Sequence, residues 1–107
     1  MNIFIEQDNN SHSIDYKKFY LFIVSDDGID KSLHINRQKC GHIFLEKKNN
    51  TWHVDLMKVY PTGKGLGTLF LQKLLQSENL NPKKMTVSPM SAKSLNFFEK
   101  NGFVHFK

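Results

Sequence analysis

One stretch decides how this chain folds: Val59-Tyr60-Pro61-Thr62-Gly63-Lys64-Gly65-Leu66-Gly67-Thr68. Before it, short apolar runs and alternating segments are typical of β-strands, and after it apolar residues recur at helical spacing. Three glycines within five residues mark the point where a strand passes into a helix. In such a turn successive backbone N–H groups, together with those at the helix start, can point at one anion. The stretch therefore indicates either a phosphate-binding turn or a plain tight turn, which uses the same residues.

Two helices are predicted after this turn. The first covers Gly65 to Glu78. Its apolar face is formed by Leu66, Leu69, Phe70, Leu74 and Leu75. The second begins after Ser91, a favourable N-cap residue, and ends at Asn101-Gly102, where glycine accepts the left-handed cap conformation. Short apolar strands are predicted between the helices at Met85 to Val87 and after them at Phe103 to Phe106.

Strands are predicted before the turn. Gly41 to Lys48 and Thr51 to Val59 flank Asn49-Asn50, a pair that tolerates the positive φ angles of a tight antiparallel hairpin. Ile3 to Ile5 is predicted as a short strand. Phe19 to Val24 is apolar on both faces, which indicates a strand inside the sheet rather than at its edge.

A single domain is expected over residues 1–107. A weaker alternating segment lies at Leu33 to Ile35, and loops are predicted at Asp8 to Ser13 and Ser25 to Lys31. The main elements follow the order β-β-β-β-α-β-α-β. That order predicts an α+β fold with a mixed, mostly antiparallel sheet and two main helices.

Charge and cysteine content restrict the class of protein. The net charge is +5, but fourteen of the fifteen cations are lysines spread along the chain. A solvated basic surface and a functional patch are therefore both open, and nucleic acid is not the expected partner. The single Cys40 cannot form an internal disulfide, which indicates a reducing, cytoplasmic compartment. No secretory signal pattern and no run of membrane-spanning length is present, so no membrane association is expected.

Two familiar phosphate-binding motifs do not fit the glycine-rich turn. A Walker motif needs four residues between its first glycine and a Gly-Lys-Ser/Thr sequence, and that spacing does not occur. The dinucleotide motif Gly-x-Gly-x-x-Gly needs a βαβ unit, whereas these glycines, at positions 63, 65 and 67, follow a predicted antiparallel hairpin.

Gly65-Leu66-Gly67 instead resembles the pyrophosphate loop of the GNAT N-acetyltransferase superfamily. The family pattern is Arg or Gln, two residues, Gly, one residue, and Gly or Ala, at the end of the fourth strand. A second resemblance lies downstream in Ser94-Leu95-Asn96-Phe97-Phe98-Glu99-Lys100-Asn101-Gly102-Phe103, which is similar to the family's helix ending in Glu-Lys-x-Gly-Phe. The two signatures occur in the family's order, and the resemblance covers residues 40 to 106.

The resemblance implies that acetyl-CoA binds where the fourth and fifth strands separate, with its pantetheine arm along exposed backbone. The implied strand edges are Met57-Lys58-Val59 and Val87-Ser88-Pro89. The implied pyrophosphate loop comprises Thr62, Gly63, Lys64, Gly65, Leu66, Gly67 and Thr68. Lys64 either adds a charge contact to phosphate or is simply solvated. Ser91, at the start of the second helix, and Phe98, packed against pantetheine, complete the implied cofactor site.

The implied activity is acyl-CoA-dependent N-acyl transfer, in which an amine attacks the thioester directly. The acceptor would be a primary amine of a small molecule or of a protein, as a lysine or an N-terminus. Strand alternation predicts that His53 and Asp55 lie on one side with Met57 and Val59. The family often has a Glu on this strand, and either His53 or Asp55 matches it, depending on where the strand bulges. Asp55 is preferred slightly as the base, and solvent exposure is the alternative for each residue.

Four positions depart from the family pattern. Thr62 replaces the Arg or Gln, and Phe98 replaces a general-acid Tyr and cannot donate a proton. Ser91 replaces a frequent Asn. Gln7 to Tyr16 is too short for the two helices that usually follow the first strand, so a reduced N-terminal helical region is expected. These departures leave a second hypothesis open, a catalytically weakened GNAT-like module that acts by binding CoA, a protein partner or both.

Overall fold

The computed structural model describes residues 2–8, 14–25, 36–60 and 65–107. The main elements follow the predicted order: β1 (Asn2–Gln7), β2 (Tyr16–Ser25), β3 (Asn36–Lys48), β4 (Thr51–Val59), α1 (Leu66–Ser77), β5 (Thr86–Val87), α2 (Ala92–Lys100) and β6 (His105–Phe106). A short 3-10 helix, Pro82–Lys84, precedes β5. The strand predicted at Leu33 to Ile35, and residues 9–13 and 26–31 of the two predicted loops, lie outside the described residues.

The strands form one open six-stranded sheet in the order β1-β2-β3-β4-β5-β6. The first four strands pair antiparallel, whereas β4 with β5 and β5 with β6 pair parallel, because a helix connects the strands of each of those pairs. The prediction of an α+β fold with a mostly antiparallel sheet and two helices is confirmed. The segment predicted to lie inside the sheet does so, since β2 is paired on both sides.

The hairpin of β3 and β4 forms because Asn49 and Asn50 adopt φ angles of 52° and 63°, as the asparagine pair predicts. The pairing then extends from Lys48 opposite Thr51 to Gly41 opposite Val59. The hairpin therefore fixes where β4 ends and where the chain turns toward α1.

Side chains from both helices and from the strands form one hydrophobic core. Helix α1 buries five residues against the strands: Leu66, Phe70, Leu71, Leu74 and Leu75. Each such side chain contributes about 1.5–3 kcal/mol on leaving water. Polar contacts link this helix to the first two strands. Lys73 Nζ of α1 donates to the Ile3 carbonyl of β1 at 2.9 Å, and Lys17 of β2 pairs with Glu78, the C-cap residue of α1, at 3.1 Å.

A β-bulge interrupts β4 at Asp55. Val54 lies opposite Leu45 and Leu56 lies opposite Phe44, so Asp55 has no partner in the register. Directly paired residues share a face of the sheet, and β3 alternates regularly here. His53, opposite Glu46, and Met57, opposite Ile43, are therefore on opposite faces. The prediction that His53, Asp55, Met57 and Val59 share one side is wrong, because the extra residue reverses the alternation.

Candidate functional site

Strands β4 and β5 separate after a very short contact. They pair only at His53 with Thr86 and at Val54 with Val87, and β4 then continues to Val59 without β5 alongside it. A small cavity of about 70 Å³ occupies the resulting gap. Its walls include Asp55 and Met57 from β4 and Ser88 from the segment after β5. We call this space the strand gap.

A larger cleft of about 430 Å³ adjoins the strand gap. Its walls are Met57 and Val59 of β4, residues 65–68 at the start of α1, and one face of α2. The two spaces share Met57, Ser94 and Phe98 as wall residues. Together their walls extend from the start of α1 to the point where β4 and β5 part.

The start of α1 lines this cleft. Gly65, the N-cap residue, has a φ angle of 74°, and a Cβ built on it would meet no atom within 4 Å. Among the described residues no side chain caps this end, and the first turn carries no acidic residue. The first N–H groups of a helix have no intrahelical acceptor, and they lie at its positive dipole end. A helix N-terminus of this kind favours an anion.

Helix α2 supplies the opposite wall because the two helices approach closely. A Cβ on Gly67 would lie only 3.1 Å from the Phe97 ring, so glycine permits this packing. Ser91 begins α2 as predicted, since its Oγ accepts a bond from the Ser94 amide at 3.1 Å. Lys93, in the first turn, lines the cleft and adds a positive charge near the start of α1.

Phe98 forms an apolar wall shared by the cleft and the strand gap. Its side chain is buried, with edge-on ring contacts to Phe97 at 5.1 Å and to Phe103 at 5.2 Å between centroids. A phenyl ring in this position can pack against an aliphatic arm but supplies no proton. Phe98 therefore contributes apolar surface and no acid to the two spaces.

His53 and Asp55 differ sharply in their surroundings. Asp55 is exposed at the bulge and lines the strand gap. His53 is buried and hydrogen-bonded at both ring nitrogens, by Nδ1 to Thr86 Oγ1 at 2.7 Å and by Nε2 to Ser88 Oγ at 3.2 Å. Burial, followed by the charge of Lys48, lowers the pKa of His53. The ring is thus held neutral at physiological pH.

The structure brings most of the predicted cofactor residues together. The walls of the two spaces include eight residues predicted to bind the cofactor, namely Met57, Val59, Gly65, Leu66, Gly67, Thr68, Ser88 and Phe98. Lys58 and Ser91 line neither space. Lys58 is exposed on the opposite face of the sheet, opposite His42, and Ser91 caps α2. Thr62, Gly63 and Lys64 lie outside the described residues.

Three wall residues of the larger cleft were not predicted from the sequence: Lys93, Ser94 and Phe97. Their signal was present in the spacing of α2, because positions 94 and 98 are four apart and share a helix face. Contact of that face with the cleft depends on the approach of α1, which the sequence does not reveal.

Comparisons of the chain with protein-family models, with curated proteins and with solved structures find no match. Within residues 2–8, 14–25, 36–60 and 65–107, no group of His, Cys, Asp and Glu side chains is arranged to hold a metal ion. No helix in these ranges is both long enough and apolar enough to cross a membrane. Inferences about function therefore depend on the geometry of the cleft and the strand gap.

Proposed function

We propose that the chain is an acyl-CoA-dependent N-acyltransferase of the GNAT type. The observation that carries the proposal is the adjacency of two spaces, which share Met57, Ser94 and Phe98 as wall residues. The cleft is lined by the N-terminus of α1, and the neighbouring space lies where two strands separate. An anionic group at one end and an extended amide-containing arm at the other match the parts of a CoA thioester.

Each part of the proposed site has a distinct task. The amides at residues 65–68 and the Lys93 side chain would hold the pyrophosphate. Met57 and Val59 would pair with the pantetheine arm through backbone groups, against the ring of Phe98. Bound acetyl-CoA supplies an activated acyl group, which would lie at the strand gap beside Asp55 and Ser88. Met57, Phe98 and Val87 would exclude water from the apolar side of that gap.

The acceptor is proposed to be a primary amine on an accessible chain, such as a protein lysine or N-terminus. Strand β1 ends at Gln7 and β2 begins at Tyr16, so the connection between them is too short to hold two helices over the acceptor side.

With Cys40 buried as a free thiol, the protein suits a reducing compartment, and we propose that it acts in the cytoplasm.

A second candidate function follows from Phe98. Phe98 lines the cleft and has no proton to donate. A module that binds CoA without catalysing acyl transfer would need no proton donor at this position. Titration calorimetry with acetyl-CoA, combined with a thiol-release assay on a panel of amines, separates the candidates. Binding with turnover supports the transferase, and binding without turnover supports the module. No binding at millimolar ligand contradicts both.

Thr68 provides the sharpest test of where the phosphates bind. It is exposed, lies in the first turn of α1 and lines the cleft. In Thr68→Asp the new charge suits the helix dipole but repels phosphate. We expect affinity for acetyl-CoA to fall about tenfold while thermal stability is kept.

The matched control is Thr68→Asn, which has nearly the same shape as the aspartate and no charge. It should bind acetyl-CoA about as well as the wild-type protein. Equal affinities for the Asp and Asn variants would place the phosphates elsewhere.

A further inference from the structure

The surroundings of His53 contain an arrangement that the family resemblance does not imply. His53 is 6% exposed. Its ring lies between two hydroxyl groups, one from β5 and one from the segment that follows β5. Thr86 Oγ1 is 2.7 Å from Nδ1, and Ser88 Oγ is 3.2 Å from Nε2. Thr86 is itself buried, whereas Ser88 is exposed. One hydroxyl therefore anchors the ring and the other faces outward.

Only one member of this trio reaches the proposed reaction centre. Ser88 lines the strand gap, and neither His53 nor Thr86 is among the wall residues of the two spaces. A buried imidazole can exchange protons with a bound substrate only through a group that contacts both. Ser88 is a wall residue of the strand gap, and its hydroxyl lies 3.2 Å from Nε2. A hydroxyl can donate one hydrogen bond and accept another, as such a group requires.

Burial, more than the surrounding charges, favours the neutral form of the His53 ring. Burial is the largest influence and lowers the pKa of His53; Lys48 and Lys107 lower it further, while Asp55 and Glu46 oppose them. His105 of β6 lies opposite Thr86. The two residues hydrogen-bonded to the ring, Thr86 of β5 and Ser88 after it, carry no charge. A neutral imidazole has one nitrogen free to accept a proton, which is what a base requires.

We propose that Ser88 relays protons between the strand gap and His53, with Thr86 as the positioning residue that holds the ring. The inference rests on the proposed acyltransferase function and assigns the base and the acid of that reaction to one pair. Thr86 would accept from Nδ1–H, and Ser88 would donate to Nε2. The same pair would replace the tyrosine acid that Phe98 cannot provide.

The relay balances over one turnover. As the amine nitrogen bonds to the thioester carbonyl carbon, its proton passes to Ser88 Oγ, and the Ser88 proton passes to His53 Nε2. When the carbon–sulfur bond breaks, the thiolate takes a proton from Ser88, which regains one from His53. The products are an amide and a free thiol. The return step is favourable, because an imidazolium with a lowered pKa is more acidic than a thiol of pKa about 8.5.

The test compares the wild-type protein with Ser88→Ala, His53→Gln and the double variant. We expect kcat/KM to fall about 100-fold in each single variant and no further in the double variant, because both groups belong to one path. The acetyl-CoA dissociation constant should stay within about threefold, since the relay touches only the acyl end. Ser77→Ala, a distant serine on α1, is the control and should keep wild-type activity.

The outcomes separate this inference from the proposed function. Turnover by the wild-type protein with little loss in Ser88→Ala or in His53→Gln overturns the relay and leaves acyl transfer standing. The same holds if the two losses multiply, or if only Asp55→Asn abolishes activity. A wild-type protein that neither binds acetyl-CoA nor turns it over overturns both.

A second readout does not depend on turnover. The ¹⁵N chemical shifts of the His53 ring should show Nδ1 protonated and Nε2 bare at neutral pH. Ser88→Ala should shift the Nε2 resonance, Thr86→Val should release Nδ1, and Thr86→Ser should restore both the shift and the pH profile of kcat/KM. A proton on Nε2 in the wild-type protein contradicts the proposed direction of the relay.

Discussion

Positions 41 and 65 require glycine for different reasons. At Gly41 a Cβ would overlap the backbone carbonyl oxygen of Lys58 across the hairpin, and backbone cannot move aside. At Gly65 the space is open, and only the φ angle of 74° opposes a side chain. The first conflict is one of packing, and the second is one of local conformation.

Gly41→Ala should therefore be far more damaging than Gly65→Ala. We expect losses of about 3 kcal/mol or more for Gly41→Ala and about 1 kcal/mol for Gly65→Ala in the free energy of unfolding. Urea denaturation with circular dichroism measures both. Similar losses for the two variants would contradict the close approach of β3 and β4 at Lys58.

Individual site residues were predictable where their signal is local. Residues 65–68 reach the cleft as the glycine spacing and the helix start indicate. The partners of His53 were not predictable, because Thr86 and Ser88 lie 33 and 35 residues further along the chain. Hydrogen bonds at that separation depend on strand order and register, which a single sequence does not specify.

At the scale of elements, α2 depends on its N-terminal cap. Ser91 Oγ accepts a hydrogen bond from the Ser94 amide, and α2 is only nine residues long. Ser91→Ala should lower the free energy of unfolding by about 1 kcal/mol, and Ser91→Asp should keep it, because aspartate caps equally well. Chemical denaturation checks both values. Ser77→Ala, near the end of α1, is the control, and an equal loss there would argue against a cap effect.

Most of the helices and strands could be predicted from local sequence patterns, but the β-bulge in β4 could not. The asparagine turn, the spacing of apolar residues in α1 and the cap of α2 all lie within a few residues of each other in the sequence. The bulge at Asp55 depends on how β4 matches β3, so alternation alone placed His53 on the wrong face. The choice between the two candidate bases depends on that bulge.

For the whole molecule, two histidines make stability depend on pH. Burial lowers the pKa of His53, and burial together with Lys58, Lys18 and Lys39 lowers the pKa of His42. The unfolded chain, with ordinary histidines near pKa 6.5, then binds more protons than the folded chain. The free energy of unfolding should therefore fall as the pH drops below about 6.5.

The measurement is urea denaturation at pH 7.5 and at pH 5.5 for the wild-type protein, His53→Gln and His42→Gln. Each variant should lose less stability between these pH values than the wild-type protein, because it lacks one of the two histidines whose protonation favours the unfolded chain. An equal loss in all three proteins would show that neither histidine is held neutral by the fold.

The brief contact between β4 and β5 has a mechanical consequence for the whole sheet. Four strands on one side are linked by long antiparallel ladders, and two short strands on the other are joined to them through just two residue pairs in the described chain. We expect this junction between β4 and β5 to separate first when the protein is heated or pulled. A ligand that paired with both strand edges would link the two parts of the sheet as an additional strand does. Ligand binding would then raise the rigidity of the protein, in addition to any role in its chemistry.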